Sequence, residues 1–515
     1  MLGENPLRGL VGAGLAGRVW FVTVEARATA ISANSPVIAT VSFITLACLV
    51  PLLLLTPAFG PLEPTQLTLR VLIIGYSAVM ISVLLGRGRP DWFATIFWSF
   101  VYVWLGIAGL AQAFAGRDPF RLPVDPTADT SAAFVTLLGM VAWHAVYRFT
   151  TARVELIAPR PGRLVTPRAT ILVFWVAIVI TPAFLMYLGD PLFFMTTRIE
   201  ASAGLAEAAG GSLAVRGLVT AFAQVPPFVA LLAITLMLQA HKPLRYRPAW
   251  WTMLAVTLAL NVLVNNPLGN SRFWFGTVLI GWLLCWKAFR TPAGYRTIVA
   301  ALLIGLTVVF PYADYFRTPD ATVTARAPYQ FMVEKLDYDA VAQIRNAATV
   351  HEFSGPAYGA QLLSTVGFAV PRDIWPQKAE PTGVLLARGI DFHFENLSAP
   401  LWAEGWVDWG PVGAVLYPAL FGFLGGMGDR RFRIALGAQG AQLALIAMPA
   451  LAIYSLILIR GSLLGTIAQG AFLAIALMVM GSARASHPSA TTVGPARRRD
   501  QNSPERSAKL SVGDT

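Results

Sequence analysis

Apolar residues along the chain fall in long blocks separated by short polar or Pro/Gly-bearing connections. An α-helix needs about 20 residues to cross ~30 Å of hydrocarbon, and it satisfies its own backbone groups, as a lipid-facing segment must. The pattern predicts twelve transmembrane helices, over 37–58, 68–86, 92–114, 131–149, 169–188, 217–240, 250–266, 272–288, 297–313, 407–427, 440–459 and 462–481. The apolar stretch 355–370 is excluded: Gly355, Pro356, Gly359 and Pro371 punctuate it and leave too short a run to span. Two connections are long, 189–216 and 314–406. In the second, Val333, Leu336, Ala340, Ile344 and Ala347 recur at steps of three and four, which predicts an amphipathic helix over 329–348 resting on the membrane or the bundle.

Composition agrees with this class. Of 515 residues, 56% are hydrophobic and 13% charged, where a soluble domain carries about 25% charged residues. The expected fold is an all-α polytopic integral membrane protein with a large extracytoplasmic loop. Charge then orients it. Of the 39 Lys and Arg residues, 25 fall in the segments that lie inside if both termini are cytoplasmic. Seven of the other 14 sit in the long loop, where the positive-inside bias is weak. The net charge of +12 thus reports topology, not an acidic ligand, and nothing points to nucleic acid. Residues 1–36 read as a cytoplasmic segment and 482–515 as a disordered basic tail, whose Arg497-Arg498-Arg499 suits anionic lipid. Cys48 and Cys285 both fall in apolar blocks, and no two of the five histidines share a helical metal-binding spacing, so no metal site is expected.

Arginines on the outer side run against topology and are informative: Arg198, Arg272, Arg372, Arg388 and Arg460. Singly, each has an ordinary explanation. Arg272 and Arg460 stand at helix ends, where they can snorkel, and Arg198 and Arg388 have Glu200 and Asp391 nearby. Jointly, several planar forks at one membrane face suit a diphosphate. Asn265, Asn266, Asn270 and Ser271, with Pro267 and Gly269, form a polar turn tipped by Arg272. Lys378 follows Arg372 in a Pro- and Trp-bearing stretch, and Asp391, His393 and Glu395 place three titratable groups within five residues. Glu404 stands at the entry to the tenth predicted helix, either as a general base for a hydroxyl or as a carboxylate settled by the helix dipole. Asp337-Tyr338-Asp339 has the Asp-x-Asp form used to hold a divalent metal, and equally suits a solvated helix face.

The string Pro371-Arg372-x-x-Trp375-Pro376-x-Lys378, then Ser398-x-Pro400, Glu404 and Gly410-x-x-Gly413, resembles the oligosaccharide repeat unit polymerases, the Wzy-like O-antigen and exopolysaccharide polymerases of bacteria. Asp337-Tyr338-Asp339-Ala340 and Arg460-Gly461 also resemble that family. The resemblance implies a GT-C-like membrane glycosyltransferase of the bacterial cytoplasmic membrane, joining glycan repeat units carried on undecaprenyl diphosphate. No cofactor is implied, because the lipid diphosphate is itself the leaving group. The arginines, with Lys378, Asp337 and Asp339, would hold the substrate, and Glu404, Asp391, Glu395 or His393 would serve the proton transfer. Membrane lipids, a flippase and a chain-length regulator are the implied partners. Three rival readings remain: a lipid-linked glycan transporter, an O-antigen-ligase-type transferase with His393 in its site, and a non-catalytic assembly subunit.

Overall fold

The computed structural model describes residues 34–56, 60–152, 162–208, 213–312 and 327–481. The predicted N-terminal segment, apart from its last residues, and the basic tail lie outside the described residues. Among those described, the named elements are helices: α1 Pro36–Leu55, α2 Pro64–Arg87, α3 Trp92–Ala115, α4 Pro126–Ala152, α5 Pro167–Tyr187, α6 Arg198–Ala208, α7 Leu213–Ala240, α8 Pro248–Val264, α9 Arg272–Leu284, α10 Pro292–Tyr312, α11 Pro328–Glu334, α12 Ala340–Ser354, α13 Ala360–Val366, α14 Thr382–Gly389, α15 Leu401–Gly437, α16 Ala444–Arg460 and α17 Leu463–Met480. Nine among the described residues are long and apolar enough to cross a membrane. The shorter apolar helices α8, α9 and α16 occupy three of the remaining predicted spans. Proline opens many of these helices at the first turn, where its missing N–H costs nothing.

α3 and α7 are almost wholly buried, while α1 is the least buried of the nine. The most extensive pairing joins α15 to α4. Gly422 and Gly426, four apart, make it possible: a Cβ at Gly422 would stand 2.5 Å from the Trp143 carbonyl oxygen, and one at Gly426 2.9 Å from Thr150 Cβ. Small residues at that spacing let membrane helices approach closely. Beside this seam, Phe97 stacks on Trp143 with ring centroids 4.0 Å apart.

One proline inside a helix is compensated by a neighbouring side chain. Pro227 in α7 leaves the Ala223 carbonyl without its usual i+4 donor, and Thr181 Oγ1 of α5 donates to it at 3.1 Å. Polar side chains then continue the chain of donors. Asn261 Nδ2 donates to the Pro227 carbonyl at 2.9 Å, Asn265 Nδ2 to Asn261 Oδ1 at 2.8 Å, and Trp274 Nε1 to Asn265 Oδ1 at 2.8 Å. This network fixes the turn that carries Arg272.

The long connection differs from expectation. In place of one helix over 329–348, the chain forms α11, a tight turn at Leu336–Tyr338, and α12 running on to Ser354. Lys335 is extended, with φ −99° and ψ 130°, and breaks the helix. The first two turns of α12 present no solvated face: every residue from Ala340 to Ala347 is buried, packed on α4, α14 and α15. Burying Arg345 there requires partners. Its Nη1 lies 2.7 Å from Asp129 Oδ1 and its Nη2 3.1 Å from Asp118 Oδ2, while Arg70 Nη2 meets Asp129 Oδ1 at 2.5 Å. Two guanidinium groups thus stand against two carboxylates, a balance that makes such burial tolerable. The sequence reading overlooked all four residues, since Arg70 and Asp129 lie within or beside apolar blocks and nothing local pairs them.

The helix predicted to begin at 407 starts at Leu401, and its first limb is buried from Leu401 to Asp408. It breaks at Trp409 and Gly410, the latter with φ +61° and ψ −149°, a conformation essentially reserved for glycine. The fold-back brings Gly405 against Gly413, where a Cβ would lie 2.1 Å from the Gly413 carbonyl oxygen.

Candidate functional site

Four elements meet at the end of the bundle that carries the long connection: the turn before α9, the C-terminus of α16, the 336–339 turn and α6. Ser271 caps α9, accepting from Trp274 N at 3.1 Å, and so sets Arg272 at the first helical position. The Arg272 guanidinium donates from Nη2 to Asp337 Oδ2 and lies 4.9 Å from the centroid of the Phe310 ring. Arg460, the last residue of α16, donates from Nε to the Asp337 carbonyl at 3.2 Å and from Nη2 to Asp339 Oδ1 at 3.3 Å. Its guanidinium carbon is 4.9 Å from the Phe273 centroid. These two arginines therefore face the Asp337–Asp339 turn and are not simply snorkelling to headgroups.

The turn itself is braced from the bundle. Trp104 Nε1 donates to the Asp337 carbonyl at 2.7 Å, and Gln112 Nε2 to the Tyr338 carbonyl at 2.8 Å. Ser398 Oγ donates to Asp339 Oδ1 at 2.6 Å, which joins the Ser-x-Pro segment to the same turn. Asp339 is buried and so does not belong to a solvated face. Burial pushes its carboxyl above the ordinary value, against the pull of Arg460, Ser398 and Gln343. Asp337 keeps 24% of its side chain open. Both acidic groups of the Asp-x-Asp string are engaged by arginine, and among the described residues no group of three or more His, Cys, Asp or Glu could hold a metal ion.

Arg198 opens α6 and completes the cluster. Its side chain keeps contact with solvent, yet the protein around it strips hydration, which lowers its pKa. Asp337 opposes that shift, and the cations Arg272, Arg460 and Arg216 add to it. Its neighbour Glu200 turns instead to Thr197, accepting from the backbone N at 3.0 Å and Oγ1 at 2.9 Å. Arg216 Nη2 donates to Ser202 Oγ of α6 at 2.7 Å. Among the described residues, Arg272 and Arg460 thus face Asp337 and Asp339 directly, and Arg198 lies within electrostatic range of Asp337, Arg272, Arg460 and Arg216. Arg216 was not singled out in the sequence. Its position, unfavoured on the outer side, was the available signal.

The remaining site candidates lie elsewhere. Arg372 donates to the carbonyls of Lys378 at 2.6 Å and Ala379 at 2.9 Å, and Lys378 Nζ to those of Phe368 at 2.7 Å and Val370 at 2.9 Å. Both cations are engaged in closing their own loop. Arg388 pairs with Glu380 at 2.6 Å and Glu395 at 3.0 Å, rather than with Asp391, and this pair is exposed. Asp391, with φ +51°, and His393 lie on the same exposed stretch.

Glu404 is buried, and both its oxygens are engaged. Thr382 Oγ1 donates to Oε2 at 2.5 Å and the Leu463 backbone N to Oε1 at 2.7 Å. It stands in the first turn of α15, as expected of a helix entry, but there it braces α14 and α17 against that helix. Asp408 does similar work, accepting from Gln361 N at 3.0 Å, Leu362 N at 3.1 Å and the Tyr417 hydroxyl.

Comparison of the chain with protein-family models, with curated proteins and with solved structures gives no match. The chemistry of the arginine cluster carries the functional reading.

Proposed function

We propose that the chain is a membrane glycosyltransferase that joins oligosaccharide repeat units carried on a polyprenyl diphosphate, with the arginine cluster holding the diphosphate of the donor. In this reading the bundle has twelve spans, both termini are cytoplasmic, the long connection faces outward, and the architecture is GT-C-like. The observation that supports it most is the placement of Arg272 and Arg460 on Asp337 and Asp339, with Arg198 in electrostatic range of both arginines. A diphosphate diester carries two negative charges, and planar guanidinium forks bind its paired oxygens well.

The chemistry follows from that placement. The acceptor hydroxyl attacks the anomeric carbon of the donor glycan. The bond from that carbon to the diphosphate oxygen breaks, and the lipid diphosphate leaves with the bonding pair. Arginines stabilise the charge developing on it, an effect of about 2.7–4 kcal/mol for each preorganised donor. When the diphosphate takes over the Arg272 fork, the Asp337 carboxylate is freed to accept the hydroxyl proton. Asp337 is favoured over Glu404 for this step because it keeps open surface within the cluster, whereas Glu404 is buried with both oxygens engaged.

The test is turnover of a synthetic lipid-linked repeat unit by purified protein in nanodiscs, read as glycan dimers and released lipid diphosphate. Arg272→Lys keeps charge but loses the fork. A charged hydrogen bond is worth about 1.5–3 kcal/mol, so turnover should fall by roughly 10-fold or more. Asp337→Asn should bind the donor and leave it unjoined. Glu404→Gln should lower the melting temperature, because an amide nitrogen cannot accept from Thr382 or Leu463. A Glu404→Gln protein with unchanged melting and no turnover would move the base back to Glu404. Full turnover in both Arg272→Lys and Asp337→Asn would remove the proposal.

A further inference from the structure

The end of the bundle opposite the long connection holds a second group of cations. α2 stops there at Arg87, and its last carbonyls are satisfied without that side chain. The Gly88 N–H, at φ +59°, donates to the Leu84 and Leu85 carbonyls at 3.1 Å each. Arg296 of α10 donates from Nε to the Leu85 carbonyl at 2.9 Å and from Nη2 to the Gly86 carbonyl at 3.1 Å. The carboxylates packed nearby are taken too. Asp91 meets Arg433 at 2.8 Å and Arg89 at 3.7 Å. Asp429 accepts from the Phe93 and Ala94 backbone at 3.0 and 3.1 Å and from the Tyr147 hydroxyl at 2.8 Å. Arg87 and Arg148 remain. They are exposed and within electrostatic range of each other, and among the described residues neither side chain makes a hydrogen bond or ion pair.

Arginines at such an end are ordinary, and alone they would report only orientation. What marks these two is the seam that rises from them between α2 and α4. On α4, Arg148 follows His144 by four residues, one turn or about 6 Å along the same face. On α2, Arg87 lies about three turns beyond Tyr76 on its face. The Tyr76 hydroxyl meets His144 Nδ1 at 2.6 Å, and the Trp98 ring lies against both, with centroids 5.2 and 5.9 Å away. An ionisable side chain inside a span is costly and points to function by default. With Tyr76 donating to Nδ1, the imidazole carries its own proton on Nε2, which has no partner among the described residues and is not enclosed. Val79 of α2 and Val141 of α4 stand exposed beside the pair. The seam thus offers an apolar wall, an N–H donor one turn deep and two guanidinium groups at its mouth.

We propose that this seam binds one anionic glycerophospholipid of the surrounding leaflet, its phosphate on Arg87 and Arg148 and an ester carbonyl on His144 Nε2. In such a lipid the glycerol unit separates the phosphate from the ester carbonyls, a span comparable to the single turn between Arg148 and His144. Charge sets the headgroup: basic pockets between spans suit anionic lipids, and two guanidinium groups without a carboxylate partner repel a choline cation. The carbonyl sets the backbone, because an isoprenoid phosphate brings charge but no acceptor at that depth. The bound lipid would clamp α2 to α4 far from the Asp337–Asp339 turn, independently of any reaction there.

The test is native mass spectrometry of the purified full-length protein titrated with four probes: phosphatidylglycerol, its diether analogue lacking both carbonyls, phosphatidylcholine and inorganic phosphate. Phosphatidylglycerol should form a single saturable adduct, and the diether should bind about fivefold more weakly, the worth of one neutral hydrogen bond. Phosphatidylcholine and inorganic phosphate should not saturate. Arg87→Gln and Arg148→Gln should each weaken phosphatidylglycerol by about tenfold, whereas Arg431→Gln, an exposed arginine of the same end, should change nothing. His144→Phe should erase the difference between diester and diether. Unchanged melting in lipid-free detergent shows that a variant is folded; should His144→Phe melt early, the diester–diether contrast of the unmodified protein decides the carbonyl contact alone. Equal binding of diester and diether by the unmodified protein overturns that contact and with it the choice of lipid. Equal affinity for phosphatidylcholine or inorganic phosphate, or an equal loss in Arg431→Gln, overturns the site.

Discussion

Removing the charge of Arg345 probes how the long connection is held to the bundle. Arg345 is buried on α12 and balances Asp118 and Asp129 together with Arg70. Arg345→Met keeps much of the side-chain volume and leaves the network with one uncompensated negative charge. Breaking a buried pair in this way costs about 3–5 kcal/mol. The lower end applies here, because Asp118 retains backbone donors from Phe120 at 2.9 Å and Leu122 at 3.1 Å, and Asp129 retains Arg70 and Gln66. A loss of about 3 kcal/mol is roughly a hundredfold in the docking equilibrium. α12 follows directly on Asp337–Asp339, so diphosphate binding should weaken in parallel although no cluster arginine is touched. Arg345→Met with Asp118→Asn restores neutrality and should recover about 1–2 kcal/mol of the loss, a coupling that the two single variants cannot give by addition. Denaturant midpoints of the four proteins of this cycle, with diphosphate affinities alongside, provide the readout. If Arg345→Met lies within about 0.5 kcal/mol of the parent, or the double variant is no more stable than the single, the network does not dock the connection and the reasoning fails.

Other outcomes follow from single residues. Because burial raises the Asp339 carboxyl, the folded state binds its proton more tightly than the unfolded chain does. Its contribution to stability is therefore fullest below the ordinary carboxylate value of about 4, and declines as pH rises toward the raised folded value. Asp339→Asn should flatten that part of the pH–stability curve, and an unchanged slope would show that Asp339 is not its source. Gly410→Ala should cost about 1–3 kcal/mol through its backbone conformation. Although the added Cβ would lie 3.0 Å from His351 Nε2, His351→Ala should not rescue it, and full rescue in melting experiments would locate the cost in the contact instead. In a Cys48→Ser background, a cysteine at Glu395 should react with an impermeant thiol reagent in intact cells and one at Tyr246 should not, both positions being exposed; the reverse pattern would invert the proposed orientation.

The sequence by itself determined where the helices are. Lipid removes the option of leaving backbone groups unpaired, so an apolar run of sufficient length has one outcome, and the nine long helices and three short apolar ones occupy the predicted blocks. Punctuation was equally legible: Gly355, Pro356 and Gly359 did stop the 355–370 stretch from spanning, and only α13 forms there. The grouping of Arg198, Arg272, Arg460, Asp337 and Asp339 at one end was available as a set of outer candidates, but not as contacts. Arg272 meets Asp337 across 65 residues, and Arg460 meets Asp339 across 121. No local pattern encodes such pairs, because each charge only needs some partner of opposite sign and packing selects which. For the same reason periodicity left open whether the 340s rest on the membrane or on the bundle. Steps of three and four identify an apolar face, but they do not say whether the opposite face meets water or, as with Gln343, Arg345 and Asn346, buried partners. Glu404 shows the limit most sharply: its place at a predicted helix entry suited either a general base or a carboxylate settled by the helix dipole, and only the packing of α14 and α17 against α15 decided that Thr382 and Leu463 would occupy both its oxygens.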